Sequence, residues 1–174
     1  MNRTIVTKQF MLRPFRASDA AALQRNIDHP IIHRNTLRLP YPYRLHDARE
    51  WIRKNVAEER RRQPRFMAWA IAIGDEVVGS VGLHDLRPKH AAELGYWLSR
   101  RLWGRGIMPA AIRAVTKFVF QRLHLRRVEV YVFTFNRSSA RVLEKCGYTR
   151  EGLLRKNVVK NGKPIDEYLF AKVR

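Results

Sequence analysis

The sequence predicts an α/β (α+β) chain built on one mixed, mostly antiparallel sheet of about seven strands, flanked by about four helices. Three observations carry this reading. The element order runs strand, helices, a meander of three strands, helix, strand, helix and a closing pair of strands. Gly74-Asp75 and Asn161-Gly162 sit between strand-like runs and read as tight hairpin turns. The helix over 107–123 lies between strand candidates 91–99 and 126–135, a crossover that forces one parallel pair into an antiparallel sheet.

The elements follow in order. "FMLRPF" (10–15) alternates and ends near Pro14, so it reads as a first strand at an edge. Ser18 is expected to cap a helix beginning "DAAALQRNI". Residues 29–46 hold three prolines and little periodicity, which predicts a long loop with at most a short helix. The next helix, roughly 46–62, carries Trp51, Ile52 and Val56 as its apolar stripe. "RFMAWAIAI" and "EVVGSVGLHDL" are the first two strands of the meander. Pro109 suits the first turn of helix 107–123, where a missing N–H costs nothing. In 126–135, Val128, Val130 and Val132 alternate with Glu129, Tyr131 and Phe133, as in a strand. "NRSSARVLEKCGY" reads as a short helix closed by Gly147. No linker, repeat or low-complexity segment appears, so residues 1–174 are expected to form a single domain.

Composition bounds the function. Thirty-five Lys and Arg against 15 Asp and Glu give a net charge of +20. Such a field attracts polyanions and repels small cations at long range. The densest cluster, "EERRRQPR" (58–65), reads either as a solvated helix end or as a nucleic-acid contact. No aromatic RNA-binding strand motif accompanies it, so basicity alone names no RNA binder. No apolar run is long enough for a membrane span, and the first residues lack the apolar core of a signal peptide. The lone Cys146 excludes an intrachain disulfide, fits a reducing cytoplasm, and reads as small core packing. The histidines are scattered, and His29 and His33 are separated by Pro30 with no carboxylate following, so no metal site is expected.

One stretch concentrates chemistry: "RRLWGRGIMPAAIRAV" (100–115). It places Arg101, Gly104, Arg105 and Gly106 at a helix start, where the first amides lack intrahelical partners and the dipole is positive. Two readings stand: glycines that only turn the chain, or a backbone cup for an anionic group such as phosphate. The order of residues does not fit a Walker loop or the three-glycine dinucleotide fingerprint.

"RLWGRGIMPAAI" resembles the acyl-CoA pyrophosphate loop of the GNAT superfamily. With "AELGYWLS", "NRSSARVLEKCGYTREGLLRK", "NGKPIDEYLFA" and "TKQFMLRPFRASDAAAL", nearly the whole chain is similar to the RimJ/RimL-like branch, the ribosomal-protein N-terminal acetyltransferases. The resemblance implies the GNAT fold and direct transfer of an acetyl group from acetyl-CoA to an amine, without a covalent enzyme intermediate or a metal. It places pantetheine along Tyr96, Trp97 and Leu98, with a backbone amide near Leu98 stabilising the oxyanion. The pyrophosphate falls to the amides of Leu102, Trp103, Gly104, Arg105, Gly106 and Ile107, with Arg101 and Arg105 supplying charge. It assigns Asn136 to pantetheine and Ser139 to protonation of the leaving thiolate. A second reading of Asn136, as a plain helix cap, stays open beside this one.

The base that deprotonates the amine is less defined. Glu93, on the strand entering the cleft, is the first candidate and Glu151 the second. Members of the branch can carry a glutamate just before the final hairpin, where this chain has Val158. Leu143 occupies the place where some polyamine acetyltransferases have a tyrosine. The loop 31–43, with Tyr41 and Tyr43, is expected to wall the acceptor. The favoured acceptor is the N-terminal α-amine of a protein or peptide, ribosomal proteins included. Two alternatives remain: a small-molecule amine (detoxification or polyamine type), and a ribosome- or RNA-associated binding protein that retains CoA. Sheet-edge pairing into a dimer is also open to this chain.

Overall fold

The computed structural model describes residues 3–174 and contains one eight-stranded sheet. The first two strands, β1 (Ile5–Val6) and β2 (Met11–Arg13), are short. Three helices follow: α1 (Ala20–Ile27), α2 (Pro30–Arg34) and α3 (Leu45–Glu59). The meander is β3 (Met67–Ile73), β4 (Glu76–Arg87) and β5 (Ala91–Leu98). Helix α4 (Ile107–Arg122) crosses to β6 (Arg127–Phe133), and α5 (Arg137–Lys145) leads to the hairpin β7 (Thr149–Lys160) and β8 (Lys163–Val173). The expected architecture is present, with one strand and one helix more than anticipated. The extra strand is β1, a two-residue element too short to show a period.

The strand order is β1-β2-β3-β4-β5-β6-β8-β7. Every neighbouring pair is antiparallel except β5 and β6. Both anticipated hairpins form. At the second, Asn161 and Gly162 both take positive φ, which a two-residue turn between twisted strands requires. Among the described residues no helix is long and apolar enough to cross a membrane.

Each face of the sheet buries its own core. On one face α4 and α5 lay Ile107, Ala111, Ile112, Val115, Val119 and Leu143 against Leu83, Leu94, Val128, Val130 and Phe170. On the other, Phe15, Leu23, Ile27, Ile52 and Tyr43 cover Ala68, Ala70 and Val77. The alternation of β6 agrees with the division, because its three valines join the core beneath α4 while its odd-numbered residues turn to the other side of the sheet.

The entry to α1 differs from expectation. Ser18 lies inside a short 3-10 turn, Ala17–Asp19, and does not cap the helix. Asp19 does the local work. Its carboxylate accepts the Arg16 amide at 2.7 Å and both guanidinium arms of Arg13 at 2.8 Å. Both side chains of that pair are buried, so the ion pair pins β2 to α1 inside the protein.

Candidate active site

The site begins where one ladder stops. β5 and β6 pair in parallel only over Ala91↔Arg127, Ala92↔Val128 and Glu93↔Glu129. Beyond Glu93 the strands part, and a cleft of about 1310 Å³ opens between them, reaching both faces of the sheet. Strand alternation fixes what β5 offers it. The Ser99 amide donates to Val78 on β4, so Trp97, two residues back, also pairs with β4 while the Tyr96 and Leu98 amides face the gap. Unpaired backbone of this kind is an open edge for an extended ligand.

At the end of the gap lies the loop 100–106. Gly104 and Gly106 take φ of +81° and +76°, values that β-carbon-bearing residues rarely adopt. Gly106 caps α4 without any side-chain hydrogen bond. The amides of Gly104, Arg105, Gly106 and Ile107 have no acceptor among the described residues. Together they form a positive backbone cup at a 16-residue helix. Leu102 and Trp103 were expected to add their amides, but these donate to Ser99 and Arg100 in a 3-10 turn. Trp103 instead braces the loop, its indole donating to the Leu98 carbonyl at 2.8 Å.

The two arginines are placed differently from the glycines. Arg101 is ion-paired to Glu76 at 2.7 Å and reaches Asn26 on α1, so its charge is engaged away from the cleft. Arg105 is exposed beside the cup. Arg141 and Lys145 of α5 line the same end of the cleft, a source of positive charge that the loop sequence could not reveal.

On the α4/α5 face, the Tyr96 phenol and the Ser139 hydroxyl lie 2.6 Å apart. Burial holds the Tyr96 phenol above its ordinary range, so it stays protonated at neutral pH. Asn136 accepts the Ser139 amide at 3.2 Å and thereby caps α5. Its capping role is therefore present, and Asn136 and Ser139 both also line the cleft.

The opposite face of the cleft holds carboxylates. Glu93 lies on β5 directly across from His84 on β4, and burial pushes its carboxyl above the usual range against the opposing pull of Arg38. Burial pushes His84 the other way, down to about 4, leaving a neutral imidazole against Phe66. Glu167, on β8 opposite Phe133, is 4% exposed and also lines the cleft. Sequence reading did not single it out, because its place depends on the pairing of β6 with β8. Glu151, the second base candidate, is bound to Arg127 at the far end of the sheet and does not line the cleft. The wall is formed by residues 35–40 with Tyr43, whereas Tyr41 stands outside against His33. Lys160 at the β7–β8 tip clasps that wall, donating to the carbonyls of His33 and Thr36. No cluster of metal-ligating side chains occurs among the described residues.

A parted parallel pair opening onto an uncapped helix start narrows the field, and comparison with known proteins decides it. The sequence profile of the acetyltransferase (GNAT) domain matches residues 9–149. The chain belongs to the GNAT acetyltransferase family. It is accordingly an N-acetyltransferase. Relatives include YoaA of Bacillus subtilis (strain 168), an uncharacterized N-acetyltransferase 36% identical over 115 residues, covering 64% of this chain and 65% of YoaA. The L-amino acid N-acetyltransferase AaaT of Escherichia coli (strain K12) is 26% identical over 95% of this chain and 99% of its own. The ribosomal-protein-serine acetyltransferase of the same organism is 28% identical over 73% of this chain and 70% of its own. Among solved structures, RimL, a ribosomal L7/L12 α-N-protein acetyltransferase in complex with coenzyme A, superposes with a TM-score of 0.87 at 22% identity, covering 97% and 96% of the two chains. In this GNAT chain the loop 100–106 and the parted strands hold the positions described above.

Proposed function

We propose that this GNAT protein acts as a single catalytic domain over residues 1–174 and moves an acetyl group from acetyl-CoA to the N-terminal α-amine of a protein or peptide. The observation that carries this is the continuity of one cleft. It joins an uncapped amide cup, an open edge of β5 and, on the opposite face, a half-buried carboxyl at Glu93. Pyrophosphate binds to the amides of Gly104, Arg105, Gly106 and Ile107. Pantetheine pairs with the free backbone edge at Tyr96 and Leu98, between Trp97 and Asn136.

The chemistry follows from the two faces. Glu93 takes a proton from the incoming ammonium, directly or through water, because a raised carboxyl pKa brings base and amine closer in affinity for the proton. The amine nitrogen attacks the thioester carbon, and the Leu98 amide stabilises the oxyanion. The C–S bond breaks, and the CoA thiolate gains a proton from Ser139, which Tyr96 reprotonates through their shared hydrogen bond. Nitrogen loses its second proton to solvent, and solvent in turn restores the Tyr96 phenol. The products are the N-acetyl amide, CoA thiol and one released proton. His84 is a weaker base candidate, because a group titrating near 4 holds its proton too loosely at neutral pH.

A peptide acceptor agrees with the branch and with the net charge of +20, which disfavours polycations and favours an N-terminus near RNA or on an acidic protein. Such a reaction belongs to the cytoplasm. A free amino acid is the second reading, favoured by the near full-length similarity to AaaT. A panel of peptides beginning with Ala, Ser or Met, free amino acids and spermidine, each assayed with acetyl-CoA, tests both. Turnover of peptides is expected. Turnover of spermidine alone would overturn the peptide reading, and no turnover of any amine would overturn the donor–acceptor assignment of the cleft.

A further inference from the structure

Glu167 has a property that the scheme above does not use. It is a buried carboxylate in a chain with 35 Lys and Arg, yet no cation among the described residues lies within ion-pairing distance of it. Its hydrogen bond comes from a neutral group, Asn157 Nδ2 donating to Oε2 at 2.8 Å. Burying a carboxylate is costly unless charge or several donors compensate it. One amide donor is little compensation, and the side chain lines the cleft.

The backbone beside it is shaped for this contact. The β7–β8 ladder skips Glu151, pairs Gly152, Leu153 and Leu154 with Leu169, Tyr168 and Glu167, and resumes at Val158↔Ile165, leaving Arg155, Lys156 and Asn157 as a second, wider bulge. Lys156 takes φ of +50° within it, and its amide is anchored to Asp166 Oδ1 at 2.7 Å. That anchor turns the next residue, Asn157, onto Glu167. Bulges next to active sites commonly re-aim a side chain in this way. Glu93 feels the Glu167 charge, which adds to the upward push on its own carboxyl.

We propose that Glu167, steered by Asn157, is the seat of the acceptor's ammonium group before Glu93 removes its proton. This rests on the acceptor face of the cleft being as proposed above. A protonated amine brings the positive charge and donors that Glu167 lacks. Acetylation then converts the ammonium into a neutral amide, which no longer pairs with the seat and leaves. The seat therefore distinguishes substrate from product by charge. It also refines the acceptor class, because Arg38 lines the surrounding wall and its charge reaches Glu93. One ammonium enters on a neutral or acidic body, while a second cation on the same molecule meets Arg38.

Glycinamide, largely protonated at about pH 6.5, and neutral N-acetylglycinamide are minimal probes. Their binding to the CoA-saturated protein is read by NMR titration, and glycinamide turnover with acetyl-CoA is measured in parallel. The expected result is a preference of about tenfold or more for the ammonium in the wild type. Glu167→Gln abolishes it and Asn157→Ala reduces it. Equal affinities in the wild type, or a full preference retained in Glu167→Gln, would overturn the seat. If Glu167→Gln does not fold, the wild-type ratio and Asn157→Ala decide. Failure of every amine to be acetylated counts against the proposed function, a separate readout from the binding ratio.

Discussion

Tyr96 on β5 and Ser139 on α5, 43 residues apart in sequence, meet through a 2.6 Å hydrogen bond beside the gap where β5 and β6 part. In the proposed mechanism Ser139 gives one proton to the thiolate and, coupled to the protonated Tyr96 phenol, recovers it without waiting for solvent. Ser139→Ala is expected to lower kcat about a hundredfold with little change in acetyl-CoA affinity. Tyr96→Phe should lower kcat less, and the double variant no further than Ser139→Ala alone. Steady-state kinetics on the three proteins check this, and additive losses would mean that the residues act separately.

Gly106 is a test of the amide cup. A β-carbon there meets nothing within 4 Å, so substitution acts through backbone conformation and not through a clash. Gly106→Ala should cost about 1–2 kcal/mol of strain and raise the acetyl-CoA KM about tenfold. Gly106→Asn should be milder, because asparagine enters the left-handed region more readily. Acetyl-CoA titration of the two variants separates strain from lost volume.

Glu93 links activity to stability with opposite signs. Its carboxyl is raised in the folded state, chiefly by burial, so it protonates more readily folded than unfolded. Its stabilising contribution is complete below the unfolded value of 4.5 and is lost as pH rises through the folded value. Glu93→Gln should therefore melt higher than wild type near pH 7, by about 2–4 °C for each kcal/mol relieved, with the gain gone near pH 4. The same variant should flatten the rise of kcat with pH and lower its plateau. Thermal melts and pH–rate profiles on one preparation check both.

The Arg13–Asp19 pair predicts a stability loss remote from the chemistry. Asp19→Asn leaves a buried guanidinium uncompensated and should cost about 3–5 kcal/mol, read by denaturant unfolding. The kcat of the remaining folded enzyme should be unchanged.

What the sequence disclosed was what local rules control. The hairpins at Gly74 and Asn161, the start of α4 and its glycine loop all depend on residues within a few positions of one another. Arg101 shows the limit. Its spacing in the loop matched an anion site, but its partner Glu76 lies 25 residues away on β4 and is supplied by the fold. The amides of Leu102 and Trp103 were hidden in the same way, because a 3-10 turn is too short to leave a pattern. Glu167 was the farthest from view. It reads as one more strand residue until β6 pairs with β8 and a bulge delivers Asn157 to it.

The three-pair seam between β5 and β6 has a mechanical consequence. Among the described residues, five strands on one side and three on the other are joined by backbone hydrogen bonds at that short parallel stretch and the adjoining Arg126–His90 contact. An extended molecule hydrogen-bonded along the open edge would act as a strut between the two halves while it serves as a reactant. Protection of the β5 and β6 amides from solvent exchange should then rise and fall with each round of acetyl transfer, as the strut is inserted and withdrawn.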